Sequence, residues 1–222
     1  MCGERSRIVH VEDNVPKNDI LVKVYSCLTC GTRLVDRPIP VGLYSTHYYN
    51  QFGPCALEDK GMEHNVDCMT QRVKRGSFLD VGCGVGIALK LMYDKGFSVA
   101  GFDEFNGLRG VGEPFKNNIE INADLRKVAF GQFDCIQMRE VFEHLTDPVG
   151  YLKWCYDHLN KEGWLFIQTP SAGSSYNPGR FGVGHYFNPS VEQLWRVLRQ
   201  LGFAKVELIS VDDACLYVGC RK

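Results

Sequence analysis

The sequence predicts an α/β fold, a doubly wound and mostly parallel sheet preceded by a small irregular N-terminal segment. Three observations carry this prediction. Beyond about residue 75, short apolar runs with strand character alternate with stretches of helical periodicity. The first of those runs ends in a glycine-rich turn, "FLDVGCGVGIALKLM" (78–92), that leads into a helix. The last two runs, Lys205 to Ser210 and Cys215 to Cys220, flank Asp212-Asp213 as an antiparallel hairpin. Alternating strands and helices with right-handed crossovers give a parallel sheet, to which the hairpin adds an antiparallel strand, seven strands in all.

The elements follow in order. Phe78 to Val81 is a strand, and Gly86 to Lys95 a helix whose Ile87, Leu91 and Met92 recur near helical spacing before Gly96 stops it. Strand Phe97 to Phe102 ends at Asp103, a glycine-bearing loop follows, and Asn118 to Ile121 makes a short third strand before Asn122-Ala123-Asp124. Phe133 to Met138 is the fourth strand. Asp147-Pro148 opens a helix expected to run to Gly163, and Trp164 to Thr169 is a strand stopped by Pro170. A loop rich in Gly, Ser, Tyr, Asn and Pro spans Ser171 to Pro189, after which Ser190 caps a helix reaching Leu201. Residues 1–74, with one strand-like run from Ile20 to Tyr25, read as an N-terminal appendage or cap, and 75–222 as the main domain.

Composition narrows the function classes. A chain of 222 residues with 45% hydrophobic and 23% charged residues can bury one sizeable core. A net charge of -1 and no long basic run supply no footprint for a nucleic-acid backbone, so nucleic acid is not expected as a partner. No apolar run approaches the roughly 20 residues of a membrane span, and the charged N-terminus does not read as a signal peptide, so a cytoplasmic protein is expected. Ten cysteines in this length fall short of a disulfide scaffold. Oligomeric state is not readable.

The glycine turn points to a ligand. In an open α/β sheet, ligands lie beyond the carboxyl ends of the strands where strand order reverses, and the first strand-to-helix turn carries the glycines. Gly82, Gly84 and Gly86 miss the dinucleotide spacing, because Ile87 stands where its third glycine would fall. Asp80 beside the turn would repel a diphosphate and suits an ammonium group. Asp103, at the end of the second strand, can accept from both hydroxyls of a ribose. Asp124 lies beyond the third strand, where it could accept from an exocyclic amine or cap a short helix. Amino acid, ribose and adenine in that order describe S-adenosylmethionine.

The ordered segments "FLDVGCGVG", "GFDEF", "NADL", "FDCIQMREVFEHLTDP" and "GWLFIQTPS" resemble a class I S-adenosylmethionine-dependent methyltransferase over roughly two thirds of the chain. "EVFEHLTDP" and "GHYFNPSVEQLWRVLRQLGF" resemble its small-molecule branch, typified by ubiquinone-biosynthesis O-methyltransferases. The resemblance implies a Rossmann-like sheet, a small-molecule methyl acceptor and a set of cofactor contacts. Asp80, Gly82, Cys83, Gly84 and Gly86 would line the methionine end, Asp103 with Glu104 the ribose, and Ala123 and Asp124 the adenine. Arg139 and Glu140 would approach the sulfonium by their backbone.

A hydroxyl acceptor needs a base or a metal, so histidines come first. His144 follows the fourth strand with Glu143 beside it, and either serves the reaction or is a structural donor. His185 sits in the long loop, with Tyr176, Arg180 and Tyr186 as a possible wall over the acceptor. Cys27-x-x-Cys30-Gly31 has the form of a zinc knuckle that Cys55 and Cys68 would complete as a structural zinc site, although thiols without a metal are the leading alternative. Tyr44, Tyr48, Tyr49 and Phe52 form a second aromatic group, a cap over the pocket or a seal on the sheet. Two rival functions stand beside methyl transfer to a hydroxyl oxygen. One is a non-catalytic methyltransferase-like binding module, the other a nicotinamide-dependent oxidoreductase, which Ile87 and Asp80 disfavour.

Overall fold

A computed structural model describes residues 8–17, 20–35, 60–84, 86–104, 118–122, 124–172, 184–211 and 215–222 of the chain, and the backbone alone at 8–17, 20–23 and 121. Its main sheet contains β4 (Ser77–Val81), β5 (Ser98–Asp103), β6 (Ile119–Ile121), β7 (Phe133–Arg139), β8 (Leu159–Pro170), β10 (Lys205–Val211) and β11 (Cys215–Arg221). These seven strands lie in the order β10-β11-β8-β7-β4-β5-β6. The pairs β4 with β5, β4 with β7, β5 with β6 and β7 with β8 are parallel, whereas β11 runs antiparallel to both β8 and β10. The predicted mostly parallel sheet with its antiparallel hairpin is thus the observed one. Chain order reverses between β4 and β7, so a crevice opens at the carboxyl ends of these strands.

The central strands read as nearly unbroken apolar runs because both faces are covered. In β7, Phe133, Cys135, Ile136 and Met138 are buried along with one polar residue, Gln137. One face carries α3 (Pro148–His158) and α4 (Val191–Gln200), whose Leu152, Leu194 and Leu198 join Leu79, Ile136 and Leu165. The other carries α1 (Lys60–Arg72) and α2 (Ile87–Asp94), whose Met62, Val66, Met69, Leu89 and Met92 join Phe78 and Phe166. Both predicted caps form: Asp147 accepts from the Gly150 N–H with Pro148 in the first turn, and Ser190 accepts from the Gln193 N–H.

Three departures from the sequence reading have physical causes. The first concerns α3, which ends at His158, five residues before Gly163. There the His158 ring contacts the Trp154 carbonyl at 2.9 Å, and the fully buried Leu159 pairs with Phe133 in β7. Tertiary pairing pulls 159–163 into β8, with Glu162 in the left-handed region at φ 67°. The second is α1, which lies in a stretch expected to be irregular. Its only sequence signal is the Met62, Val66, Met69 stripe, to which the fold adds the buried Cys68, and most of its other positions are polar. The third is a second sheet, β1 (Ile8–Lys17), β2 (Ile20–Cys27) and β3 (Arg33–Val35), joined to the two-residue β9 (Phe187–Asn188) in the order β1-β2-β3-β9.

Because Met69 is fully buried against the sheet, Met69→Ala is expected to destabilise the domain by about 2–5 kcal/mol in urea unfolding. An unchanged midpoint would show that α1 is not part of this core.

Candidate active site at the carboxyl ends of the sheet

The turn after β4 is built from main-chain bonds. The Gly82 and Cys83 N–H groups both donate to the Phe102 carbonyl, at 2.7 and 3.0 Å, and the Gly84 N–H donates to Asp103 Oδ2 at 2.9 Å. This wrap requires left-handed backbone, with φ 73° at Gly82 and 50° at Gly84. A Cβ at Gly82 would also meet Val141 Cγ2 at 2.2 Å. At Gly84 no described atom lies within 4 Å of a Cβ position, so the turn leaves room for a ligand against its main chain.

The predicted acids stand around this turn. Asp80 is 2% exposed, and the Gln137 side-chain amide donates to its Oδ1 at 3.0 Å. Burial pushes its carboxyl up to about 7, against the opposing pull of Gln137 and Arg139. Asp103 is buried and braces the turn, while Glu104 beside it is raised by desolvation and by the Asp103 charge. The Cys83 thiol is buried and pushed up chiefly by desolvation, so it is no nucleophile. Asp124 caps the 3-10 turn Leu125–Lys127 and bonds the Arg126 guanidinium at 2.9 and 3.1 Å and the Tyr151 hydroxyl at 3.3 Å. Its carboxylate is therefore committed locally and held below its usual range, first by Arg126. Ala123 lies outside the described residues.

Sequence reasoning missed the polar groups that line the crevice from within the core. Gln137 on β7 contacts Met62 Sδ at 3.7 Å, and Gln168 on β8 accepts from Asn65 of α1 at 2.5 Å and from Arg139 at 3.3 Å. Buried Gln137 inside an apolar strand was the available signal, because a buried amide needs a polar partner.

Just past β7 the chain turns sharply. Glu140 has φ 54°, a left-handed conformation a glutamate adopts only under constraint, and its N–H donates to the Gln168 carbonyl at 2.9 Å. The short helical turn Phe142–His144 then brings together the three predicted catalytic residues. Glu143 is fully buried, with Oε2 accepting from the Thr169 hydroxyl at 2.9 Å. Its Oε1 lies 3.9 Å from His144 Nε2 and 3.8 Å from His185 Nε2. The two imidazoles meet edge to face, 4.6 Å between centroids. Burial, and then the charge of Glu140, push the Glu143 carboxyl well up, and burial lowers the His144 imidazole. His185 is fixed by its neighbour: the Tyr186 N–H donates to the Glu143 carbonyl at 2.9 Å, and the Tyr186 carbonyl accepts from the Val35 N–H at 3.1 Å.

The N-terminal cysteines are distributed differently. Cys27 and Cys30 flank a turn in which the Gly31 N–H donates to the Cys27 carbonyl at 2.7 Å, close to Ser190 at the start of α4. Cys68 lies on α1 with its Sγ 3.6 Å from His64 Nε2. Among the described residues, Glu143, His144 and His185 form a group able to hold a metal ion. Cys55, Tyr44, Tyr48, Tyr49, Phe52, Tyr176, Arg180 and Asp212-Asp213 lie outside the described residues.

Asp80 makes the stability of the protein pH-dependent. Its folded pKa is raised above 3.8, so the folded state binds its proton more tightly than the unfolded chain, and its contribution is lost as pH rises through about 7. Between about pH 4 and about pH 7, wild type should lose on the order of a few kcal/mol relative to Asp80→Asn in paired urea titrations. Parallel pH profiles for the two proteins would contradict this environment for Asp80.

The crevice thus presents a buried acid beside the turn, an open face on Gly84 and a second buried acid at the end of β5. A family model described as a methyltransferase domain matches residues 57–208. The chain is 30% identical over 99 residues to the ubiquinone biosynthesis O-methyltransferase of Pseudomonas paraeruginosa, a match covering 41% of this chain and 43% of that protein. It therefore spans less than half the length of that curated relative. The fold is similar to that of the 1,6-didemethyltoxoflavin-N1-methyltransferase of Burkholderia thailandensis, solved with its substrate and S-adenosylhomocysteine, with a TM-score of 0.64 and 14% identity over 93% of this chain and 98% of that one. It is similar also to an S-adenosylmethionine-dependent methyltransferase of Archaeoglobus fulgidus, with a TM-score of 0.56 and 19% identity over 72% and 94% of the two chains. The match to the family model covers well over half of the sequence and includes every element around the glycine turn, and the chain belongs to the methyltransferase-domain family.

Proposed function

We propose that the protein transfers a methyl group from S-adenosylmethionine to a hydroxyl oxygen of a small-molecule acceptor. The observation that carries this reading is the Glu143, His144 and His185 group. It sits just past β7, and Val141, two residues before Glu143, touches the glycine turn. On this reading the cofactor lies across the ends of β4 and β5. Asp80 receives its ammonium group, Asp103 its ribose, and the main chain around 123–124 its adenine, since the Asp124 carboxylate is engaged by Arg126 and Tyr151. The backbone of Arg139 and Glu140 borders the sulfonium.

When bound, S-adenosylmethionine supplies a methyl group on a positively charged sulfur that leaves readily. The protein's remaining tasks are to align the acceptor oxygen and to relieve it of its proton. The Glu143, His144 and His185 group is placed for the second task, and Tyr186 holds its loop against β3. Hydroxyl over amine is favoured because a neutral amine needs no such group, and because the curated relative is an O-methyltransferase. Cys30, Cys68, Cys83, Cys135, Cys155 and Cys220 are buried thiols, which suits the reducing cytoplasm we assign as its compartment.

Purified protein incubated with S-adenosylmethionine and a panel of phenols, catechols, sugar hydroxyls and amines should yield a methyl ether, with the product identified by mass spectrometry. His185→Ala should lower kcat by about 10²–10⁴-fold and leave S-adenosylhomocysteine affinity unchanged. Transfer to amines alone, or a fully active His185→Ala, would overturn the assignment.

A further inference from the structure

We propose that Cys27 and Cys30 form a reversible redox pair, a modification site at which a glutathione-type disulfide converts the two thiols into one intramolecular disulfide. The pair stands on the geometry of the turn between β2 and β3 and does not depend on the methyl-transfer reading.

Cys27-Leu28-Thr29-Cys30-Gly31 closes the hairpin between these strands. The Cys27 N–H donates to the Thr32 carbonyl at 2.9 Å, the Gly31 N–H donates back to the Cys27 carbonyl at 2.7 Å, and Gly31 takes the left-handed conformation at φ 72°. A turn closed in this way holds Cα atoms three residues apart within about 7 Å, the reach of a disulfide. Burial gives the direction of the two thiols. Leu28, Thr29 and Gly31 are exposed, whereas Cys27 and Cys30 are 5% and 8% exposed, so both thiols turn to the inner side of one surface tip.

The contacts on the inner side suit a dithiol. Cys30 Sγ donates to Thr32 Oγ1 at 3.4 Å, and the same oxygen accepts from the Ser190 N–H at 3.3 Å, which docks the turn on the N-cap of α4. Cys68, expected as a fellow zinc ligand, sits instead on α1 in the core of the other face of the sheet, its Sγ 3.6 Å from His64 Nε2. The surroundings also set Cys27 and Cys30 apart from the other thiols. Burial pushes up the thiols of Cys68, Cys83, Cys135, Cys155 and Cys220, which slows their exchange. None of those five has a second cysteine three residues away, so none can close a disulfide within one turn.

The oxidant is glutathione disulfide. The thiolate of one cysteine attacks one of its sulfurs, and the S–S bond breaks with the electron pair leaving on glutathione, which takes up a proton. The second thiolate attacks the mixed disulfide and releases a second glutathione, so two protein thiols are oxidised while one disulfide is reduced to two thiols. In a reducing compartment such a bond is transient and follows the glutathione ratio. Its effect falls on β3, which leaves the turn at Arg33 and pairs with Phe187 and Asn188 beside the His185 loop. A covalent tie across the turn restricts opening of the hairpin, so the β3 amides exchange more slowly.

The test is equilibration of the full-length protein in glutathione buffers of graded ratio, followed by acid quench, alkylation and tryptic mass spectrometry, with zinc content read on the same preparation. Cleavage after Lys23 and Arg33 isolates Val24–Arg33, whose cysteines are Cys27 and Cys30 alone. The expected result is a loss of two hydrogens in that peptide, reversed by dithiothreitol, at ratios that leave Cys135 and Cys155 as thiols. Cys30→Ser should stop at a glutathione adduct on Cys27, and amide exchange in β3 should slow on oxidation of the wild type. Cys27 and Cys30 reduced in every buffer, either of them bonded to a different cysteine, or a zinc ion that Cys30→Ser releases would overturn the pair. The wild-type peptide decides this whether or not the variant folds. A disulfide that leaves β3 exchange unchanged would overturn its hold on that strand.

Discussion

The contact on which the rest of the molecule depends is the main-chain bonding of residues 82–84 to the end of β5. Three successive N–H groups reach the Phe102 carbonyl and the Asp103 carboxylate, which forces the chain into left-handed backbone and turns it away from the sheet. That turn fixes where α2 begins, brings Asp80 and Asp103 to the same rim, and brings Val141 against Gly82. Through Val141 it also sets the position of the Glu143 segment. A side chain at Gly82 would disturb both halves of the site at once.

The second organising feature is the tie between the N-terminal strands and the loop before α4. The β3–β9 pairing is short, yet it joins chain segments about 150 residues apart and sets His185 beside Glu143. Residues 1–74 therefore do more than precede the sheet. Their β3 strand steadies the loop that carries His185, and α1 closes the opposite face of the core, with Asn65 and Met62 reaching the polar groups under the glycine turn. The glycine-turn side and the Glu143 side of the crevice are thus supported by different parts of the N-terminal segment.

Much of the main sheet was legible because its signals are local. The apolar runs of β4, β5, β7 and β8, the glycines after β4 and the caps Asp147 and Ser190 each announce an element within a few residues. What was not legible depends on partners distant in sequence. The end of α3 is set by Leu159 pairing with Phe133, and α1 is helical because a narrow Met and Val stripe finds a groove in the sheet. The edge strand β9 exists only where β3 meets it. At the site, Glu143, His144 and His185 were recognisable one by one, but their convergence required the fold. The Asp124 carboxylate is occupied by Arg126 and Tyr151, a commitment that a helix-cap signal only half reveals.

In the proposed function the crevice at the ends of β4 and β5 is a site for a nucleoside joined to an amino acid. The most direct measurement is isothermal titration of the purified protein with S-adenosylhomocysteine, beside Asp103→Ala and beside NADH as a competing ligand. One site of micromolar affinity for S-adenosylhomocysteine, lost in the variant, with no binding of NADH, is the expected result. Binding of NADH alone, or of neither ligand, would contradict it.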